Sequence, residues 1–319
     1  MAVGKIMENK PSVTIFILSH NRPLYASEAL LSAVNQTYKN KKIIFSDNSS
    51  DYKTKEYLDN LVDIESTKYE YKYRNNVSAF AHFRVILDEI DTEYAVIFHD
   101  DDLLKSDYLE HVVGIFLRNT SVVCVGCNAD IIDENGKYSN KYNPSFIAKD
   151  KIIVSHEMFY DYYFSYSLMR APPFPSYIYK SKFINKMTLE YKYADLKFIA
   201  NMLEFGNIYW SHKSKMQYRV HQANDSAVES VIDRKLLLRD INANINISEK
   251  KKISYGKNIR FLFWVNYFIS SNKIFFKEKY IPLIKFVLIE IFTNAHKIFI
   301  YFAFKIILRA KKGVSKLIK

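Results

Sequence analysis

Residues 94 to 102 concentrate more chemistry than any other stretch of the chain. Tyr-Ala-Val-Ile-Phe-His runs straight into three carboxylates, Asp100, Asp101 and Asp102. A short apolar run rich in Val, Ile and aromatics reads as a buried strand. Like charges at the end of such a strand repel one another, and loss of water makes their ionisation harder still. A cation relieves both. Oxygen-only ligands suit a hard divalent ion, Mg²⁺ or Mn²⁺, shared with a phosphate. The competing reading is a solvated loop ahead of a helix, where Asp is also welcome.

Two more polar clusters end apolar runs in the same way. Val13 to Leu18 is continuously apolar apart from Thr14, as a strand buried on both faces would be, and it breaks at Ser19-His20-Asn21-Arg22-Pro23. A helical pattern follows at Ala29, Leu30, Ala33 and Val34. Ile43, Ile44 and Phe45 form a second short strand that ends in Ser46-Asp47-Asn48-Ser49-Ser50-Asp51, residues that turn readily. The pattern then predicts a polar helix (53–62), a strand (68–73), a helix (78–90), the Asp strand, a helix (106–118) and a strand (121–127). Alternating strands and helices mean parallel β with crossover helices. In such sheets ligands bind at the carboxyl ends of the strands, where Asn21, Asp47 and Asp100 to Asp102 all fall. Neither G-x-G-x-x-G nor G-x-x-x-x-G-K-[ST] is present, so phosphates need another holder, and a metal on the Asp cluster would serve.

Composition narrows the class. At 319 residues, 49% hydrophobic and 25% charged, the chain has material for a large folded core. Seven Gly and seven Pro leave no room for a flexible linker. The net charge of +12 divides unevenly: residues 251–319 carry 15 Lys/Arg against Glu278 and Glu290, net +13, which leaves −1 for residues 1–250. A nucleic-acid binder would more often carry its basic face on the folded body. From residue 290, Lys297, Tyr301, Lys305 and Arg309 recur at helical spacing opposite Ile and Phe, an amphipathic pattern suited to an anionic membrane surface. Packing on the body or in a homodimer is the other use of such a helix. Its uncharged run, Ile298 to Phe304, is far shorter than the ~20 residues needed to cross a bilayer. Cys124 and Cys127 lie in an apolar run without a second pair, which favours core packing over zinc or redox chemistry. The first ten residues lack a signal-peptide core, so a cytoplasmic location is expected.

Ile15 to Gln36, with its Ser-His-Asn-Arg-Pro and the Ser-Ala-Val-Asn-Gln-Thr-Tyr that follows, then Ser-Asp-Asn-Ser-Ser-Asp and Phe-His-Asp-Asp-Asp-Leu-Leu, resembles the GT-A fold of glycosyltransferase family 2. The similarity runs from about Val13 to Ala227. It implies an α/β fold with a Rossmann-like, mixed and mainly parallel sheet flanked by helices. A nucleotide-sugar half would span about 11–127 and an acceptor half about 128–227, with 228–319 a helical, basic C-terminal extension. The resemblance places Asn21, Arg22, Asp47 and Asp100 at the donor nucleotide. It also lays the family's D-x-D motif, which binds metal and sugar diphosphate, on Asp100, Asp101 and Asp102. The first acidic position of the commonest pattern falls on His99, so the pair that does the work stays open, with Asp102 and Asp100 favoured.

The second half offers two more matches. Arg170-Ala-Pro-Pro-Phe-Pro, a Pro-rich turn into a strand, is similar to the family's acceptor-side segment. Leu196, Ile199, Ala200 and Leu203 predict a helix that Asp195 opens, and on the residues alone Asp195 is a helix cap. The resemblance instead makes Asp195 the catalytic base. Met216 to His221 reads as a strand on which Arg219 and His221 share a face, similar to the family's closing R-x-H element on the diphosphate and acceptor side, with His221 at the metal. One base and no second carboxylate for a covalent intermediate imply inversion. The expected reaction moves a sugar from a nucleotide sugar, with UDP favoured, to a saccharide or lipid-linked glycan in bacterial O-antigen, capsule or lipooligosaccharide assembly. The alternative is an inactive GT-A domain serving as a membrane-associated scaffold.

Overall fold

The computed structural model describes residues 10–61, 68–139, 147–164, 171–184, 191, 193–221 and 231–270. The basic tail beyond residue 270 and Arg170 lie outside them. The first half alternates as its pattern predicts: β1 (Val13–Ser19), α1 (Pro23–Val34), β2 (Lys41–Asp47), α2 (Lys53–Leu61), β3 (Glu70–Tyr73), α3 (Ala79–Asp88) and β4 (Tyr94–His99). A two-residue strand, β5 (Leu103–Leu104), precedes α4 (Tyr108–Arg118) and the long β6 (Val122–Ile132). Then come β7 (Lys151–Ile153), α5 (His156–Phe164), a 3-10 turn at Phe174–Ser176, β8 (Ile178–Lys180) and α6 (Ser181–Ile184). They are followed by α7 (Ala194–Asn201), β9 (Asn207–Arg219), α8 (Val231–Ala243) and α9 (Glu249–Ser270).

All nine strands join one mixed sheet in the order β3-β2-β1-β4-β8-β6-β9-β5, with β7 also on β9. Pairing is parallel from β3 to β4 and between β6 and β9, while β8 enters antiparallel between the two sets. The period of two along β1 divides the core. Val13, Ile15 and Ile17 pack with Ala26, Ala29, Leu30 and Ala33 of α1 and with α4, whereas Phe16 packs with Phe83 and Ile86 of α3 on the other face. Leu237, Ile241 and Ile259 of α8 and α9 join that second cluster, so both helices pack on the body. No helix of the described residues is long and apolar enough to cross a membrane. Cys124 and Cys127 are free and buried on β6, and burial pushes the Cys127 thiol up to about 12, so both act as core residues.

Two boundaries differ from the sequence pattern. β6 continues five residues past Cys127, because Asn128 donates to the carbonyls of Ile147 (2.9 Å) and His212 (2.7 Å) and so keeps a polar residue inside the strand. β9 begins at Asn207 and ends at Arg219, which leaves His221 beyond the strand instead of sharing a strand face with Arg219.

Candidate active site

The strand register sets the frame. Ser19 lies beside Asp47, Asp47 beside Tyr73, and Leu18 beside His99, so the carboxyl ends of β1 to β4 form one edge. The first loop on that edge is held by Asn21, whose left-handed backbone (φ 54°) Asn tolerates better than most residues. Its N–H donates to Ser49 Oγ at 2.8 Å, and its Oδ1 accepts the Ser50 N–H at 2.9 Å. Asp47 is 0% exposed: Oδ1 accepts the Ser49 N–H at 2.9 Å and Oδ2 the Tyr71 hydroxyl at 2.6 Å. It therefore shapes the 46–51 loop from below. On the outer side of that loop, Tyr52 and Tyr73 set their rings 4.5 Å apart.

The three aspartates separate by environment. Asp100 accepts the His20 N–H at 3.0 Å and pairs with Arg22 Nη1 at 3.2 Å. Burial pushes its carboxyl up to about 6, against the pull of Arg22. Asp101 Oδ2 lies 3.1 Å from Arg22 Nη1 and 3.0 Å from His221 Nε2. Asp102, 1% exposed, accepts the Arg219 N–H at 2.9 Å on Oδ1, and its Oδ2 is buried without a partner. Burial first, then the neighbouring charge of Asp101, drives its carboxyl well above the ordinary range. His99, Asp101 and Asp102 each offer a ligand atom within 4.8 Å of the others. Among the described residues the geometry gathers His99 with Asp101 and Asp102, while Asp100 faces the β1 loop and Arg22 and His221 meets Asp101. Two carboxylates and an imidazole, with one carboxylate oxygen left unpaired in the interior, fit a divalent cation.

Behind this edge, Arg219 is 1% exposed and fully engaged. Its Nε donates to the Asp101 carbonyl at 2.8 Å, Nη1 to the Glu134 carbonyl at 3.2 Å and Nη2 to the Glu28 carboxylate. The guanidinium also lies over Tyr25, 4.5 Å from the ring centre, and the His221 ring approaches Tyr25 at 5.2 Å. An open groove of about 370 Å³, lined by Arg22, Tyr25 and Glu134 among others, runs alongside. Sequence reasoning missed Glu28 and Tyr25, although Tyr25 lies three residues and Glu28 six residues past Arg22, a helical spacing.

Asp195 sits on the second turn-position of α7, where Tyr193 is the cap residue, so a capping role does not account for it. Its Oδ1 accepts the Leu196 N–H at 2.8 Å. The residue keeps a partial opening to solvent, yet the packing around its carboxyl raises it to about 6, despite that hydrogen bond. Aromatic contacts tie α7 to the Asp edge: Phe198 packs 6.0 Å from Phe174, and Phe174 lies 5.9 Å from His99. A carboxyl poised near neutrality can exchange a proton at working pH.

Residues 14–191 match the family model "Glycosyl transferase family 2". A Haemophilus influenzae protein described as an uncharacterized glycosyltransferase is 26% identical over 236 residues, which cover 70% of this chain and 69% of the relative. A second from the same organism is 26% identical over 118 residues, 37% of this chain and 47% of that one. The crystal structure of Staphylococcus aureus TarS 1–349 in complex with UDP-GlcNAc superposes with a TM-score of 0.60 at 14% identity, covering 85% of this chain and 78% of that one. At that identity the likeness speaks for the fold, which is GT-A. With more than half of its length inside the family model, and strand ends that gather the same polar groups its motifs mark, the chain belongs to glycosyl transferase family 2.

Proposed function

We propose that this glycosyltransferase takes a sugar from a nucleoside diphosphate donor, a UDP-sugar, and passes it with inversion to a hydroxyl of a saccharide acceptor. Mn²⁺ or Mg²⁺ is held by His99, Asp101 and Asp102, and Arg22, Arg219 and His221 stand at the diphosphate side. The observation that carries the reading is the buried, unpartnered oxygen of Asp102 within a three-residue ligand group. The bound UDP-GlcNAc of TarS, a fold neighbour, supports the choice of nucleotide. When bound, the metal would neutralise charge on the departing diphosphate.

The chain's own residues do the rest. The acceptor hydroxyl is a poor nucleophile, so Asp195 takes its proton as the oxygen bonds to the anomeric carbon and the bond to the diphosphate oxygen breaks. A carboxyl near 6 is mostly ionised at neutral pH and still basic enough to help. Arg22 and the N–H groups around Asn21 and Ser49 hold the nucleotide loops in place. A thermal-shift screen of nucleotide sugars with and without Mn²⁺ tests the reading, because a ligand of the native state raises the melting temperature. No shift and no hydrolysis with any nucleotide sugar would sink it.

The acceptor we propose is a lipid-linked glycan in surface-polysaccharide assembly, reached from the inner face of a membrane. The support is the tail: residues 280–319, which the test below removes, carry eight Lys/Arg against Glu290, net +7. Each basic residue adds about 1 kcal/mol near an anionic surface. Anionic vesicles should sediment the full chain and not a chain ending at residue 279; equal sedimentation of the two would leave the tail to packing or dimer contacts.

A further inference from the structure

One face of α1 and its flanking residues runs along the chain segment from Asp100 to Leu109. Arg22, Tyr25, Glu28 and Ser32, with Gln36 just past the helix end, recur every three or four residues. Arg22 pairs with Asp100 and Asp101; Ser32 Oγ accepts the Leu104 N–H at 3.1 Å; Gln36 donates to the Lys105 carbonyl at 2.7 Å and accepts the Leu109 N–H at 3.0 Å. Glu28 acts at one remove. Its carboxylate, 41% exposed, accepts from Nη2 of Arg219, which is itself 1% exposed.

Arg219 touches the ligand group with its other donors, through its N–H to Asp102 and its Nε to the Asp101 carbonyl. A guanidinium out of water needs negative charge close by. Two sources of charge flank it: Glu28, which accepts its Nη2, and on the inner side Asp101 and Asp102, which meet Arg219 through a main-chain carbonyl and through a carboxylate on its N–H. If the inner pair answered that need, Arg219 would compete with a cation for the same oxygens.

We propose that Glu28 is a positioning residue for the metal group. It draws the Arg219 guanidinium toward α1, which leaves the carboxylates of Asp101 and Asp102 to a divalent cation. The inference rests on the reading of His99, Asp101 and Asp102 as the metal site. Residues that orient metal ligands from behind typically change metal affinity by about 10–100-fold when replaced.

The experiment measures Mn²⁺ binding to the full chain by the electron paramagnetic resonance of free Mn²⁺, with and without UDP. Glu28→Gln should raise the Mn²⁺ Kd by about 10–100-fold, and excess Mn²⁺ should restore kcat. Glu28→Asp keeps the charge with a shorter reach and should fall between. A wild type that binds no Mn²⁺ under either condition refutes the metal site itself, before any variant is made. A wild type that binds Mn²⁺ and a Glu28→Gln variant that binds it equally well refute the role of Glu28 and leave the site standing. A variant that melts earlier with unchanged Kd assigns Glu28 to stability alone, which also overturns the proposal. Should Glu28→Gln not fold, Glu28→Asp decides, and a Kd equal to wild type overturns it.

Discussion

Asp195→Asn separates catalysis from stability at one atom. The amide keeps the shape and can still accept the Leu196 N–H, but it cannot take a proton. Loss of a general base typically costs about 10²–10⁴ in rate, so transfer should fall at least a hundredfold while donor binding stays near wild type. Stability should move the other way. Burial lifts the Asp195 carboxyl from 3.8 to about 6, and at about 1.36 kcal/mol per unit the ionised group costs the fold about 3 kcal/mol at neutral pH. The sign follows from proton uptake. A folded-state value above the unfolded one means that stability is highest below pH about 4, falls as pH rises toward 6, and stays reduced above that.

Urea unfolding of both proteins from pH 4 to 7.5 reads this directly. Asp195→Asn should be more stable than wild type at pH 7.5, and the gap should close as pH falls to 4. In parallel, kcat/KM of the wild type should rise with pH and level off near 7, since a base titrating near 6 is about 90% ionised at pH 7 and about 10% at pH 5. Near-normal transfer by Asp195→Asn would place the base elsewhere. A stability gap independent of pH would refute the account of its burial, whatever the kinetics.

The remaining expectations concern the carboxylate edge and the packing behind it. Asp100 and Asp102 are both raised by burial, so the metal-free protein should lose melting temperature as pH rises from 4 through 6, and saturating Mn²⁺ should reduce that loss in a calorimetric scan. Tyr71→Phe removes the hydroxyl that donates to the fully buried Asp47; it should cost about 1–3 kcal/mol in denaturant unfolding and weaken nucleotide binding by loosening the 46–51 loop. Gly126→Ala would put a Cβ 2.6 Å from the Tyr177 ring, itself fully buried, and overpacking of that kind should cost about 1–3 kcal/mol by the same measurement.

Much of the frame was legible because it obeys simple periods. The apolar run of β1 and the polar residues that end β1, β2 and β4 needed only the rule that parallel strands bury both faces and present ligands at their carboxyl ends. The choice among the three aspartates was not legible. The motif favours Asp102 and Asp100, whereas the structure separates the three by their partners: Asp100 takes the His20 N–H, Asp101 meets His221, and packing leaves Asp102 Oδ2 alone. The sequence pattern marks only the end of β9, from Met216, and Ser211, His212, Lys213, Ser214 and Lys215 before it are a polar run. The strand holds there through β6, whose Cys127 and Asn128 pair with Ser211 and Ser214 across a register slip, while β7 pairs just before this stretch and β5 just after it. His99 could be marked only as an oddity of the motif, since its role depends on where its imidazole stands relative to Asp101 and Asp102.

Glu28 shows where the limit lies. On a helix with Ala26, Ala29, Leu30 and Ala33 packed inward, a polar residue on another face is expected to meet water, and Glu28 is half exposed as that rule says. What the rule omits is Arg219, 191 positions later in the chain, whose guanidinium arrives at the same face only because β9 pairs with β5 and β6. A buried guanidinium must be answered by charge, and that demand gives an ordinary surface glutamate its place. The same demand orders the whole edge. Arg22 answers Asp100 and Asp101, Glu28 answers Arg219, and among the described residues the one buried carboxylate oxygen without a partner belongs to Asp102, which is where a cation would complete the set.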